Sequence, residues 1–176
     1  MDNQKQDITI RTAAEGDAVL ISVLASTTFY EAYFEQDEPG DLAGYIHDSF
    51  EIAVLEAEIA DPASRFYIVL RNGKAVGYAK LITGSTHASI TSPDPVELKR
   101  IYLLERVWGT GLGEILLEHC IKTAKELGAG SIWLGVWEEN QRGQSFYKKH
   151  GFVQTGTLEF PYGDSVGINL VMEKPL

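Results

Sequence analysis

The chain has 176 residues, 44% of them hydrophobic, with a formal net charge of −10 and a single cysteine, Cys120. The length suits one domain with a real core. The acidic balance argues against nucleic-acid binding, which draws its affinity from cations on phosphates, and a lone cysteine excludes an internal disulfide framework.

No window reaches the roughly 18 consecutive apolar residues of a membrane span. The polar start "MDNQKQDITIRT" has no signal-peptide pattern. A reduced, cytoplasmic protein is therefore expected, without nucleic-acid or membrane partners and with a homodimer compatible. Negative charge suits a cationic small substrate, and equally suits solubility alone.

Taken in chain order, "DITIRTA" alternates and predicts a first strand. Residues 14–34 predict a helix with Asp17 as N-cap. "DLAGYIHDSF" and "EIAVLEAEIAD" predict two further short helices. "RFYIVLRNGKAVGYAKLI" predicts two strands joined at Asn72-Gly73, a strong hairpin signal. "TGSTHASITSPDPV" is a surface loop and "VELKRIYLL" a strand. A glycine segment and a helix to Leu127 follow, closed by Gly128. Apolar Leu112, Ile115, Leu116, Cys120, Ala124 and Leu127 predict that helix's buried face. "SIWLGVW" is a strand, "NQRGQSFYKKH" a short helix closed by Gly151, and "FVQTGTLEF" and "VGINLVMEK" a final antiparallel pair. No repeat or linker interrupts this single mixed α/β domain over residues 1–176, and the part from Val96 to Trp137 forms a βαβ-like unit.

"RVWGTGLGEILL" places Gly109, Gly111 and Gly113 where a helix must begin, although glycine weakens a helix by about 1 kcal/mol relative to alanine. A helix start has unpaired N–H groups and a positive dipole end. Without Cβ atoms in the way, a phosphate can approach them closely. The other reading is a tight strand-to-helix turn. Gly113 is followed by Glu114, so the Gly-Lys-Ser/Thr of a nucleoside-triphosphate loop is missing. The G-x-G-x-G spacing also departs from the dinucleotide G-x-G-x-x-G, although Glu138 and Glu139 end the next strand about where a ribose-binding acid would sit.

Arg106, Gly109 and Gly111 fit an Arg/Gln-x-x-Gly-x-Gly/Ala pattern, and "NQRGQSFYKKHGF" carries Asn140, Phe146, Tyr147, Gly151 and Phe152 in a second motif. In both motifs and in strand order the chain resembles the GNAT N-acetyltransferase superfamily over essentially its whole length. "TTFYEAYFEQDEPGDLAGYIHDSF", "ELKRIYL" and "IWLGVWEENQRGQSFYKKHGFVQTG" resemble, within it, the bacterial PaiA-type polyamine (spermidine/spermine) acetyltransferases. The resemblance implies a mostly antiparallel sheet of about seven strands flanked by helices. It also implies transfer of acetyl from acetyl-CoA to a small amine by direct attack, with no metal. The loops at residues 84–94 and 160–166 carry no pattern that identifies the acceptor.

The chemistry has a protonation problem: an alkylammonium with pKa near 10.4 is neutral about once in 2,500 molecules at pH 7. The resemblance places Tyr147 beside the CoA sulfur as acid for the leaving thiolate; its other reading is a core aromatic. Glu97 is the candidate base or water holder, or else a solvated carboxylate. Ile101, Tyr102 and Leu103 would offer backbone hydrogen bonds to pantetheine as an added strand would, with the Leu103 N–H as oxyanion donor. Arg106, Val107, Trp108, Gly109, Thr110, Gly111, Leu112 and Gly113 would cradle the pyrophosphate. Asn140 would orient the pantetheine arm or cap the next helix. Lys149 would meet the 3′-phosphate, or with Lys148 serve as a helix-end charge. Glu31, Glu35, Asp37 and Asp41, with Tyr30 among the interleaved aromatics, form an acidic stretch suited to a polyamine or to solvation alone. A CoA sensor without turnover and a nicotinamide oxidoreductase are the competing functions.

Overall fold

Asn72 and Gly73 both take left-handed backbone angles, φ 52° and 73°, as a two-residue hairpin turn requires. They join β2 (Ser64–Arg71) to β3 (Lys74–Thr83). The computed structural model describes residues 7–176, so residues 1–6 of the polar start lie outside the described residues. β1 (Ile8–Thr12) precedes α1 (Ala18–Tyr33), α2 (Pro39–Phe50) and α3 (Ile52–Ala60). After the hairpin come β4 (Val96–Leu103), α4 (Leu112–Glu126), β5 (Ser131–Trp137), α5 (Gln141–Lys149), β6 (Val153–Tyr162) and β7 (Ser165–Pro175).

The strands form one seven-stranded sheet in the order β1-β2-β3-β4-β5-β7-β6. β1 with β2, β5 with β7 and β6 with β7 are antiparallel, while β4 and β5 run parallel, Val96 opposite Ile132 and Glu97 opposite Trp133. Parallel neighbours need a crossover, and α4 supplies it. The mixed α/β class, the largely antiparallel sheet and the βαβ-like unit are thus those the sequence implies. Among the described residues no helix is long and apolar enough to cross a membrane.

The chain divides into two compact units, Met1–Lys80 with Arg100–Leu117, and Leu81–Lys99 with Glu118–Leu176. In the first, α1 buries Ile21, Leu24, Ala25 and Phe29. Phe29 stacks on Tyr45 of α2 at 4.5 Å and meets Phe50 edge-on at 5.7 Å, contacts that each add about 0.5–1.5 kcal/mol beyond their burial. The Ser22 hydroxyl donates to the Phe50 carbonyl at 2.6 Å, satisfying an acceptor that the end of α2 would leave open. In the second unit Ile90, Trp133 and Val171 form a core cluster with Leu158 against it.

Two local expectations differ from the structure. Asp17 does occupy the N-cap position of α1, but its side chain makes no cap bond there. Its carboxylate instead receives both Arg11 guanidinium nitrogens at 2.7 Å and the Ala14 N–H at 2.8 Å. A bidentate charged donor outcompetes a neutral helix N–H. Along α4, Leu112, Leu116, Leu117, Cys120 and Ala124 are buried, but Ile115 and Leu127 are exposed. The buried stripe repeats every four residues from Leu112, which leaves Ile115 on its flank, and Leu127 lies past the helix end. Burial pushes the Cys120 thiol up to about 12, so it has little thiolate for chemistry.

Candidate active site

Strand β4 sets the geometry of the glycine segment. The Leu104 N–H donates to the Val76 carbonyl of β3 at 2.9 Å. Successive N–H groups of an extended chain point to opposite edges, so the Leu103 N–H points to the edge away from β3. A Cβ on Gly77 would run into Leu103 Cδ2 and the Tyr102 carbonyl. Gly77 therefore lets β3 come close enough to fix Tyr102 and Leu103. No sequence motif singled it out; its signal was a lone glycine inside a strand pattern.

Beyond β4 the chain makes one short turn at Glu105–Val107 before the glycines. Trp108 Nε1 donates to the Leu103 carbonyl at 2.9 Å, and the Thr110 hydroxyl to the Val107 carbonyl at 2.7 Å. Gly109 and Gly111 take φ of 74° and 86°, which side chains with a Cβ adopt only with strain. A Cβ built on either meets no protein atom within 4 Å. The backbone angle, rather than crowding by the protein, requires glycine here, and the space that a Cβ would occupy is open. The Gly111 carbonyl accepts from the Ile115 N–H, so α4 begins at Leu112 with its first N–H groups beyond reach of any intrahelical acceptor. Leu112 and Val107 are buried and anchor the turn, while Arg106 is exposed. An anion fits this turn by charge and by room.

The acidic stretch belongs to the same unit. Tyr30 and Phe34 are exposed and stacked, with centroids 5.8 Å apart and an interplanar angle of 9°. Glu35 is exposed, and Asp37 and Asp41 are half-buried around the turn into α2. Glu31 stands apart: its Oε2 accepts from the Glu105 N–H at 2.8 Å, so α1 holds the turn that leads to the glycines.

Beneath these helices lies a polar cluster that the sequence reading missed. Glu58 of α3 takes Arg100 at 2.6 Å and Lys80 at 2.8 Å. Burial alone would raise the Glu58 carboxyl, but Arg100 and Lys80 outweigh it and hold it below its usual range. Burial also raises the phenols of Tyr33, Tyr78 and Tyr102, so all three stay protonated. Single charges spread over α3, β3 and β4 leave no local motif, and only the fold collects them.

In the second unit Glu97 is buried. Its Oε2 accepts from the Ser85 hydroxyl at 2.6 Å and its Oε1 from Lys99 Nζ at 3.1 Å. Asn140 is the N-cap of α5, its side chain accepting from the Gly143 N–H at 2.8 Å. Tyr147 is half-buried on α5, edge-on to Phe146 at 5.3 Å and to Phe152 at 5.7 Å. The Tyr147 carbonyl accepts from the Phe152 N–H at 3.1 Å, across the left-handed Gly151, φ 85°. Lys174 Nζ donates to the His150 carbonyl at 2.9 Å, so the end of α5 is closed and the ring of Tyr147 is fixed from both sides. Lys148 and Lys149 are exposed. Among the described residues no cluster of His, Cys, Asp and Glu forms a metal site.

With this geometry in view, comparisons with known proteins are specific. Residues 26–152 match the model of the acetyltransferase (GNAT) family. An uncharacterized N-acetyltransferase of Mycobacterium bovis is 33% identical over 160 residues, covering 91% of this chain and 98% of its own. One from Lactobacillus delbrueckii subsp. lactis is 28% identical over 169 residues, covering 96% and 98%. The crystal structure of the PaiA N-acetyltransferase of Thermoplasma acidophilum, in complex with coenzyme A, has the same fold, with a TM-score of 0.78 at 23% identity over 97% of this chain and 99% of that one. The chain, by its family match and its sheet, belongs to the GNAT acetyltransferases.

Proposed function

We propose that this chain acts as one cytoplasmic N-acetyltransferase domain that moves the acetyl group of acetyl-CoA onto a small cationic amine of the spermidine and spermine class. The observation that carries the donor assignment is the open glycine turn: two left-handed glycines, with no protein atom where a Cβ would stand, opening onto the start of α4. When bound, acetyl-CoA supplies an activated acetyl thioester. Arg106, Val107, Trp108, Gly109, Thr110, Gly111, Leu112 and Gly113 hold the pyrophosphate through backbone N–H groups and the helix dipole. Ile101, Tyr102 and Leu103 offer their free edge to the pantetheine arm, and the Leu103 N–H donates to the acetyl oxygen as negative charge grows there. Glu97 takes the proton that the amine must lose, directly or through water, and the Tyr147 hydroxyl donates toward the departing sulfur.

Recognition of the amine falls to Tyr30, Glu35, Asp37 and Asp41, whose carboxylates and aromatic faces suit spaced ammonium groups. Such a site needs neither nucleic acid nor membrane. An amine panel with acetyl-CoA, read by thiol release, tests the assignment. Spermidine is expected to show a kcat/KM well above that of butylamine, with the gap narrowing as salt screens these partly exposed carboxylates. Equal use of both amines at every salt concentration overturns the polyamine assignment and leaves the family untouched.

A further inference from the structure

We propose that Ser85 is a positioning residue for Glu97, holding one carboxylate oxygen so that the other electron pairs face the amine. The proposal rests on the reading of Glu97 as the group that takes the amine's proton. Three linked observations carry it. Gly84, φ 76°, turns the chain sharply as it leaves β3, and Ser85 follows at once. Trp133 Nε1, on β5, donates to the Ser85 carbonyl at 3.1 Å, fixing the backbone of Ser85 to a buried residue whose register partner is Glu97 itself. The Ser85 hydroxyl then donates to Glu97 Oε2 at 2.6 Å, at the short end of the O–H···O range.

The division of labour on Glu97 follows from donor chemistry. Lys99 reaches Oε1 at 3.1 Å from a half-exposed position, and an ammonium can only donate. A hydroxyl can donate or accept by rotating about its C–O bond. Ser85 therefore keeps a hydrogen bond to Glu97 whether the carboxyl is ionised or has just taken a proton, and the side chain need not swing between the two states. Without it, Glu97 is buried with one oxygen short of a donor, a loss that would turn the carboxylate toward Lys99. The loop that carries Ser85 is pinned a second time. Ser89 Oγ lies 2.9 Å from His87 Nδ1 and 3.1 Å from Thr155 Oγ1, at the bulge in β6 where Gly156 leaves room for it. A surface loop with no motif of its own thus becomes a rigid arm behind one carboxylate.

The test is a double-mutant cycle on the full chain, using acetyl-CoA with spermidine, or with whichever panel amine is turned over fastest. Ser85→Ala is expected to lower kcat about 10- to 100-fold, below the full range for losing an acid–base group, with both KM values within about twofold because the Ser85 hydroxyl is committed to Glu97. Ser85→Thr, which keeps the hydroxyl, is expected to restore most of kcat. In a Glu97→Gln background Ser85→Ala should have almost no further effect, since residues acting through one another are not additive. An unchanged kcat in Ser85→Ala, or an equal fall in the Glu97→Gln background, overturns the positioning role while Glu97 keeps its own. An unchanged kcat in Glu97→Gln overturns the base assignment and the positioning role together. Should Ser85→Ala fail to fold, Ser85→Cys replaces it in the same cycle, with the same two outcomes.

Discussion

The glycine turn at Trp108–Gly113 and the acidic stretch at Glu31–Asp41 lie in the same compact unit and were both predicted to bind substrate, yet they are built on different principles. In the turn, residue type is forced: φ of 74° and 86° leaves glycine as the unstrained choice, and the empty Cβ positions leave a ligand room. In the acidic stretch residue type is not forced. One carboxylate, on Glu31, is committed to a backbone N–H of Glu105, while Glu35 stands in solvent. A backbone-coded site has few alternative explanations, whereas a carboxylate serves capping, solubility or recognition with the same atoms.

The largest expected effect breaks the backbone-coded side. Gly111→Val places a β-branched side chain at a left-handed angle and fills the open space. Its dissociation constant for CoA should rise by roughly 100-fold or more, from strain and lost approach together. Calorimetry on a variant whose circular dichroism is native checks this, and unchanged affinity would remove the turn from the donor site.

Replacing Glu35 and Asp37 together by their amides should raise KM for spermidine by about 2- to 30-fold, the reach of two partly exposed pairs at about 0.2–1 kcal/mol each. KM for butylamine should move less. If both amines respond alike, the stretch is a solvated surface.

Glu31→Gln sharpens the contrast inside the stretch. Its role through Glu105 predicts a rise of about 2- to 10-fold in KM for acetyl-CoA, the loss of part of a charged hydrogen bond on an exposed backbone N–H, with KM for spermidine unchanged. The opposite pattern would return Glu31 to amine recognition.

The smallest effect concerns a carboxylate outside the stretch, Asp17, whose job is structural. The Arg11 guanidinium, helped by the Ala14 N–H, pulls Asp17 from 3.8 down to about 2. Because the folded value lies below the unfolded one, its contribution to stability is present above about pH 4 and is lost as pH falls toward 2. Asp17→Asn should therefore flatten part of the stability loss between those values in a pH series of urea melts, with little change in kcat at pH 7. An unaltered pH series would mean that the Arg11–Asp17 pair contributes nothing measurable.

What the sequence made legible follows the same division. The succession of strands and helices along the chain, the Asn72-Gly73 hairpin and the stops at Gly128 and Gly151 were readable because each depends on local periodicity or on a left-handed angle. Asp17 was placed correctly at the start of α1, but its partner was not, because Arg11 competes from the preceding strand. Gly77, Ser85 and the Arg100–Glu58–Lys80 cluster were not singled out for a different reason. Each matters through a neighbour distant in sequence: Leu103 for Gly77, Glu97 for Ser85, and α3 against β3 and β4 for the cluster. Asn140 was open between a pantetheine contact and a cap, and the structure shows the cap bond to Gly143.

The central claim is that acetyl passes from acetyl-CoA to an amine at a site whose donor half is the glycine turn. It is tested most directly by counting both products at once. Wild type and Gly111→Val would be incubated with acetyl-CoA and spermidine, and free CoA thiol and N-acetylspermidine would be quantified in the same samples. The account predicts one acetylated amine for each CoA released by wild type, and a large loss of both for the variant at subsaturating acetyl-CoA. Thiol release without acetylated amine, or equal turnover by Gly111→Val at limiting acetyl-CoA, would contradict it.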